Sequence, residues 1–130
     1  MKKPGKWLPK NLSPRVAPNG LVYLNLGCGK VYSPEWNNLD HRWSVDIIRH
    51  DLRKPLPFGD GIFNAVYSSH ALEHLGPAEG CRLMQEIHRV CKPGGICRMV
   101  VPDLELSCRL YLEWLEKASR QPAPESLWRY

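Results

Sequence analysis

The apolar positions of this chain fall into short runs punctuated by glycine and proline. Leu21-Val22-Tyr23-Leu24-Asn25-Leu26 is one such run. It stops at glycine, as a buried strand does. Trp36–Asp40 predicts a second strand and Val45–His50 a third. Leu56-Pro57-Phe58-Gly59-Asp60-Gly61 is turn chemistry, and Phe63–Ser69 predicts a fourth strand. The period then changes. Leu83, Met84, Ile87, Val90 and Cys91 form one stripe, with Glu79, Arg82, Gln85, Glu86 and Arg89 opposite, which predicts a helix over Ala78–Cys91. Lys92-Pro93-Gly94-Gly95 ends it. Ile96–Val101 predicts a fifth strand, and a last helix is expected from about Leu104 to Lys117.

Strands alternating with helical or loop segments imply an α/β fold. The expectation is a Rossmann-like, mainly parallel sheet of about five strands with flanking helices. Such sheets bind ligands beyond the carboxyl ends of their strands. That edge collects Gly27–Gly29, Asp40, Asp51, Ser69–His70 and Pro102–Asp103.

Charge refines the domain picture. The net charge is +5, and residues 1–20 account for all of it through Lys2, Lys3, Lys6, Lys10 and Arg15. The same stretch holds Pro4, Pro9, Pro14 and Pro18. Residues 1–20 are therefore expected to be a basic, proline-rich, solvated leader. The folded domain is expected over 21–117 and a tail over 118–130. A neutral body argues against a groove that tracks nucleic-acid phosphates. No apolar run approaches the ~20 residues of a membrane span, and no secretory signal opens the chain. A cytoplasmic protein is expected. The five cysteines, Cys28, Cys81, Cys91, Cys97 and Cys108, are odd in number and scattered. That spacing suits reduced thiols, not a disulfide framework or a thiolate zinc site.

Gly27-Cys28-Gly29 lets the chain turn sharply and lets a ligand approach the backbone. It is not a dinucleotide fingerprint, because Tyr32 holds the third glycine position and Pro34 follows closely. Asp40, at the end of the second strand, can accept both hydroxyls of a ribose, or it can be a turn residue. Asp51, at the end of the third, can accept from an adenine amino group or cap a turn.

These pieces, in this order, resemble class I S-adenosylmethionine (SAM)-dependent methyltransferases of the type 11 group. Leu24-Asn25-Leu26-Gly27-Cys28-Gly29 with Trp36-Asn37-Asn38-Leu39-Asp40 resembles the first motif, with a shortened helix between them. Asp51–Phe58 resembles the adenine-side loop. Phe63–Leu75 resembles the fourth strand and its turn, with Asn64 in place of the usual Asp. Glu86–Gly95 and Arg98–Leu104 resemble the segments around strand five. The resemblance implies SAM as cofactor. Gly27, Cys28 and Gly29 would line its methionine part and Asp40 its ribose. Asp51 and Leu52 would flank the adenine, and Ser69 and His70 would lie near the sulfonium. It further implies methyl transfer to a small-molecule or sugar-like acceptor, from a chain lacking the family's last two strands. The alternative is a truncated or degenerate module that binds SAM, or nothing, and acts through a partner.

His70-Ala71-Leu72-Glu73-His74 also spells an inverted zinc-peptidase pattern. On a helix, His70 and His74 would share a face and Glu73 would act as base, a zinc hydrolase. Gly76-Pro77 cuts that segment after barely a turn, so no metal is expected. His41, His50 and His88 read as surface or turn residues. Methyl transfer mainly needs positioning, and His70 and Asp103 are the nearest candidates for a base. Leu104, Cys108, Tyr111, Leu112 and Leu115 can face the sheet, while Leu106, Leu110 and Trp114 form a second stripe. Strand five is expected at a sheet edge, so a homodimer or larger assembly through it and the last helix is expected. Otherwise the tail, with Leu127, Trp128 and Tyr130, would fold over Trp114.

Overall fold

The computed structural model describes residues 12–42 and 44–120. Five strands, β1 (Tyr23–Leu26), β2 (Asn37–Asp40), β3 (Ile47–Arg49), β4 (Phe63–Ser69) and β5 (Cys91–Val100), form one sheet in the order β3-β2-β1-β4-β5. Every neighbouring pair is parallel. This is the Rossmann-like α/β architecture expected, with β5 at an edge. Two helices follow the same chain order, α1 (Pro77–Val90) and α2 (Leu104–Arg120).

Central strands carry the core. Leu24, Leu26, Leu39, Phe63 and Val66 are fully or almost fully buried, and Leu83, Ile87 and Val90 of α1 close over them. Each such side chain contributes about 1.5–3 kcal/mol. Phe58 meets Phe63 edge-on at 4.8 Å. Met84 and Cys91, placed by periodicity on the same stripe, lie at its margin, Met84 exposed and Cys91 half-buried. Pro77 opens α1, and the Glu79 carboxylate accepts the Gly76 N–H at 3.0 Å.

Arg89 ties α1 to the turn before β4. Its guanidinium donates to the Phe58 and Leu56 carbonyls and to Asp60 and Glu86, while Glu86 accepts the Leu56 N–H at 2.7 Å. The guanidinium holds the Glu86 carboxyl below the usual range.

Several expectations are corrected. The Pro-Gly-Gly turn does not end the helix ahead of a separate strand. β5 begins at Cys91, and residues 92–95 bulge between the pairs Phe63↔Cys91 and Ala65↔Ile96. Gly94 is left-handed there (φ +76), and a Cβ on Gly95 would lie 2.6 Å from Cys91 Sγ. No helix separates β1 from β2. Residues 12–17 are not a solvated leader: Leu12 packs on the core, Ala17 is buried, and Arg15 exchanges bonds with the Asn37 side chain. The other basic residues of that leader lie outside the described residues, as do Leu127, Trp128 and Tyr130. Finally, α2 does not lie on the sheet. All 17 of its residues are exposed. No described helix is long and apolar enough to cross a membrane.

His50 is not a surface residue either. It follows β3, is 9% exposed, and its buried Nε2 has no hydrogen-bond partner. Burial pushes its pKa down, against the opposing pull of the Lys54 and Pro55 backbone and the Asp51 carboxylate. The folded state therefore favours neutral imidazole. Its contribution to stability is fully present above the unfolded-state pKa of about 6.5 and is lost as pH falls through the lower folded value. Thermal melts from about pH 7.5 to pH 5 should show falling stability, and His50→Leu should flatten that dependence. An equally steep profile in the variant would assign the effect to another group.

Candidate cofactor site

The site is built where the strands end. β1 stops at Gly27, whose N–H donates to the Leu39 carbonyl at 2.8 Å; the Cys28 N–H reaches the same carbonyl at 3.2 Å. Gly27 and Gly29 are both left-handed, at φ +65 and +56. They need glycine for different reasons. A Cβ on Gly27 would lie 2.5 Å from the Ala71 Cβ and 3.7 Å from Leu52, so this residue wedges the loops after β1, β3 and β4 together. A Cβ on Gly29 would meet nothing within 4 Å. That turn presents bare backbone to open space.

Asp40 closes the cradle from β2. It is 5% exposed, and its carboxylate accepts the Gly29 N–H and the Arg42 N–H, both at 2.9 Å. His41 Nδ1 lies 3.0 Å from the same group. Each carboxylate oxygen keeps further acceptor capacity. Cys28 is buried between them. Burial first, and the Asp40 charge second, push its thiol up to about 11, so it is a neutral packing group at neutral pH.

Asp51 and Leu52 form the next wall. Leu52 packs on the core. Asp51 opens a turn, accepting the Arg53 N–H at 3.1 Å, and its carboxylate takes both Nε and Nη2 of Arg53 at 2.9 Å. That pairing holds its pKa at about 2. An adenine amino group at Asp51 would share a carboxylate already gripped by Arg53.

Ser69 ends β4 and His70 follows it. The inward hydroxyl is that of Ser68, which is buried and donates to the Leu26 carbonyl at 3.0 Å; Ser69 is half-buried. His70 is left-handed at φ +53, a conformation costing a non-glycine residue about 1–2 kcal/mol. Its N–H donates to the Val100 carbonyl at 3.0 Å. Its Nδ1 lies 3.2 Å from Glu73 Oε1, with the imidazole 61% exposed. Asp103 caps α2, accepting the Leu106 N–H at 2.9 Å.

The zinc-peptidase reading does not survive this geometry. Leu72–His74 is one 3₁₀ turn, His70 precedes it in a left-handed conformation, and Glu73 is engaged by His70. Among the described residues, no group of three or more potential ligands could hold a metal.

Sequence reasoning missed the residues that shape the glycine loop. Asn25 and Asn38 are buried on β1 and β2. Asn25 Nδ2 donates to the Asn38 side chain and the Val31 carbonyl, both at 3.3 Å, and Asn38 donates to Ser33 and Trp36 carbonyls at 2.8 and 3.1 Å. Their signal was polar side chains inside otherwise buried strands, where only a hydrogen-bonded role makes burial tolerable.

A family model described as "Methyltransferase domain" matches residues 24–99, from β1 through most of β5. The chain belongs to this methyltransferase family. Among curated relatives, an uncharacterized methyltransferase of Synechocystis sp. is 45% identical over 49 residues, covering 38% of this chain and 23% of its own. Demethylmenaquinone methyltransferases of Mycolicibacterium vanbaalenii and Mycobacterium tuberculosis are each 35% identical over 66 residues, or 48% of this chain and 28% and 27% of theirs. The matched part of the chain thus spans about a quarter of the length of these relatives. A solved structure of a candidate S-adenosyl-L-methionine-dependent methyltransferase from Methanococcus maripaludis aligns with 75% of this chain and 56% of its own, at 16% identity and TM-score 0.46.

The two glycines make separable predictions. Gly27→Ala combines a left-handed Cβ with a collision and should cost about 2–4 kcal/mol of stability. Gly29→Ala adds only the conformational penalty, about 1–2 kcal/mol. Urea titration checks both, and equal costs would mean that the Gly27–Ala71 contact yields freely.

Proposed function

We propose that this chain binds S-adenosylmethionine and takes part in methyl transfer to a small-molecule acceptor. The observation that carries this is the open, left-handed turn at Gly29 beside the buried Asp40 carboxylate. A bare backbone turn and an acceptor-only group suit a nucleoside with ribose hydroxyls to donate. Family membership supports the same cofactor. The mycobacterial relatives are named for a small-molecule acceptor, which favours a small molecule over a macromolecule. A sugar-like acceptor is a finer reading that rests on resemblance.

In this reading Asp40 accepts from the ribose, Asp51 and Leu52 flank the adenine, and Gly27, Cys28, Gly29, Ser69 and His70 border the methionine portion. The bound cofactor supplies an electrophilic methyl group on a sulfonium, open to in-line displacement. The protein's task is to align the acceptor with it, which can contribute about 7–11 kcal/mol. An acceptor that must lose a proton needs a base. His70 suits this role: its Nδ1 lies 3.2 Å from Glu73 Oε1, so a neutral ring protonated there would offer Nε2 as the acceptor. Free cysteines at exposed positions 81, 97 and 108 fit a reducing, cytoplasmic setting. The second reading, a binding module completed by a partner, draws support from the unburied α2.

Isothermal titration with S-adenosylhomocysteine should give micromolar-range binding, and Asp40→Asn should lose about 1–3 kcal/mol of it. Unchanged affinity in the variant would place the ribose elsewhere. With an acceptor that is turned over, Glu73→Gln should lower kcat by roughly 10–100-fold and leave S-adenosylhomocysteine affinity unaltered. A variant with full kcat would remove the His70–Glu73 pair from the proton path. Binding without turnover of any acceptor would favour the module.

A further inference from the structure

The Asp40 carboxylate is nearly shut in. Its side chain is 7% exposed, whereas that of the next residue, His41, is 78% exposed. Three groups among the described residues stand at hydrogen-bonding distance from it. The Gly29 N–H donates to Oδ2 and the Arg42 N–H to Oδ1, both at 2.9 Å. The third is His41 Nδ1, 3.0 Å from Oδ1. These groups differ in freedom. Gly29 belongs to the left-handed turn after β1, and the Arg42 amide belongs to the turn that Asp40 itself closes. Neither leaves the carboxylate unless the backbone moves. The His41 ring needs only a side-chain rotation, and most of it already lies in water.

The acceptor count makes that difference matter. An ionised carboxylate offers about four acceptor sites, two on each oxygen. The two backbone amides take one on each. A ribose with adjacent hydroxyls would use the remaining pair. A hydroxyl oxygen bonds a carboxylate oxygen at about 2.5–3.0 Å. His41 Nδ1 stands at that distance from Oδ1, beside the Arg42 amide. A ring nitrogen and a hydroxyl oxygen cannot both hold that place.

We propose that His41 is a displaceable cover on Asp40, which rests on the reading of Asp40 as the ribose acceptor. The imidazole stands where one ribose hydroxyl would donate, and it turns into solvent as the nucleoside seats. The seated nucleoside donates two hydroxyls, and the lost ring contact offsets part of that gain. A ligand without ribose hydroxyls makes no demand on Oδ1 and leaves the ring in place. The His41 side chain therefore weakens binding selectively, against ligands that carry the hydroxyls.

The test compares the full wild-type chain with His41→Ala and needs no methyl acceptor. The side chain removed is exposed, so the variant keeps the fold. Calorimetry with S-adenosylhomocysteine should show the variant binding about two- to fivefold more tightly, the usual worth of one exposed charged contact. The 2′,3′-dideoxy analogue of S-adenosylhomocysteine, followed by ligand-observed NMR, should bind both proteins equally. Wild-type binding with equal or weaker affinity in His41→Ala overturns the cover and leaves the cofactor reading standing. An equal gain with the dideoxy analogue also overturns it, because the effect would then not pass through the hydroxyls. If neither protein binds S-adenosylhomocysteine, the cofactor reading falls and the cover falls with it.

Discussion

β1 bonds to a parallel strand on each side, and it ends at a residue that must be glycine. Gly27 sits so close to Ala71 that a single methyl group would collide with it. This contact fixes the spacing between the loops after β1 and β4, and Leu52 brings the loop after β3 against the same point. The rest of the site is positioned from there. Two residues on, Gly29 reaches Asp40, and the Asp40 carbonyl accepts the His50 N–H at 2.8 Å to hold the start of the third loop. Backbone bonds thus pass from β1 to β2 to β3 with no helix needed between β1 and β2.

The strands were legible because buried parallel strands are short apolar runs that must stop, and here they stop at Gly27, Asp40 and Ser69. α1 was legible because one of its faces is apolar. What could not be read was partnership. Amphipathic spacing in α2 says which side chains avoid water, and it holds from Leu104 to Arg120, but it does not say whether a surface is present to receive them. His50 failed for the reverse reason. A lone histidine at a strand end resembles a surface residue, and only the fold shows the turn after β3 closing over it. The Pro-Gly-Gly segment was read as the end of the helix and a boundary before the next strand, whereas parallel pairing continues on both sides of it, at Phe63↔Cys91 and Ala65↔Ile96.

The site residues divide along the same line. Gly27, Gly29 and Asp40 could be placed together at that edge because glycine at a strand end and a strand-end carboxylate are legible in the sequence. The Arg53 partner of Asp51 could not be read, because nothing in the spacing ranks an ion pair two residues away against a ligand. Asn25 and Asn38 were passed over since polar residues in a strand are usually outward-facing. Here they replace the missing helix. Their amides satisfy the carbonyls of a loop that has almost no regular structure of its own, which keeps Gly29 in place.

The carboxyl edge of the sheet and the start of α2 are continuous. The His70 N–H is held by the Val100 carbonyl, the last residue of β5. Val101 and Pro102 follow, and Asp103 caps α2. His70 keeps its left-handed conformation only while that bond and the Glu73 contact resist relaxation, since the backbone alone disfavours it. Any force that α2 exerts on the end of β5 therefore reaches His70 through one hydrogen bond. In a chain whose helix is anchored, Val100 is fixed from both sides and the His70 imidazole has a defined direction. With α2 exposed along its whole length, the Val100 end of that bond is supported from the β4 side alone.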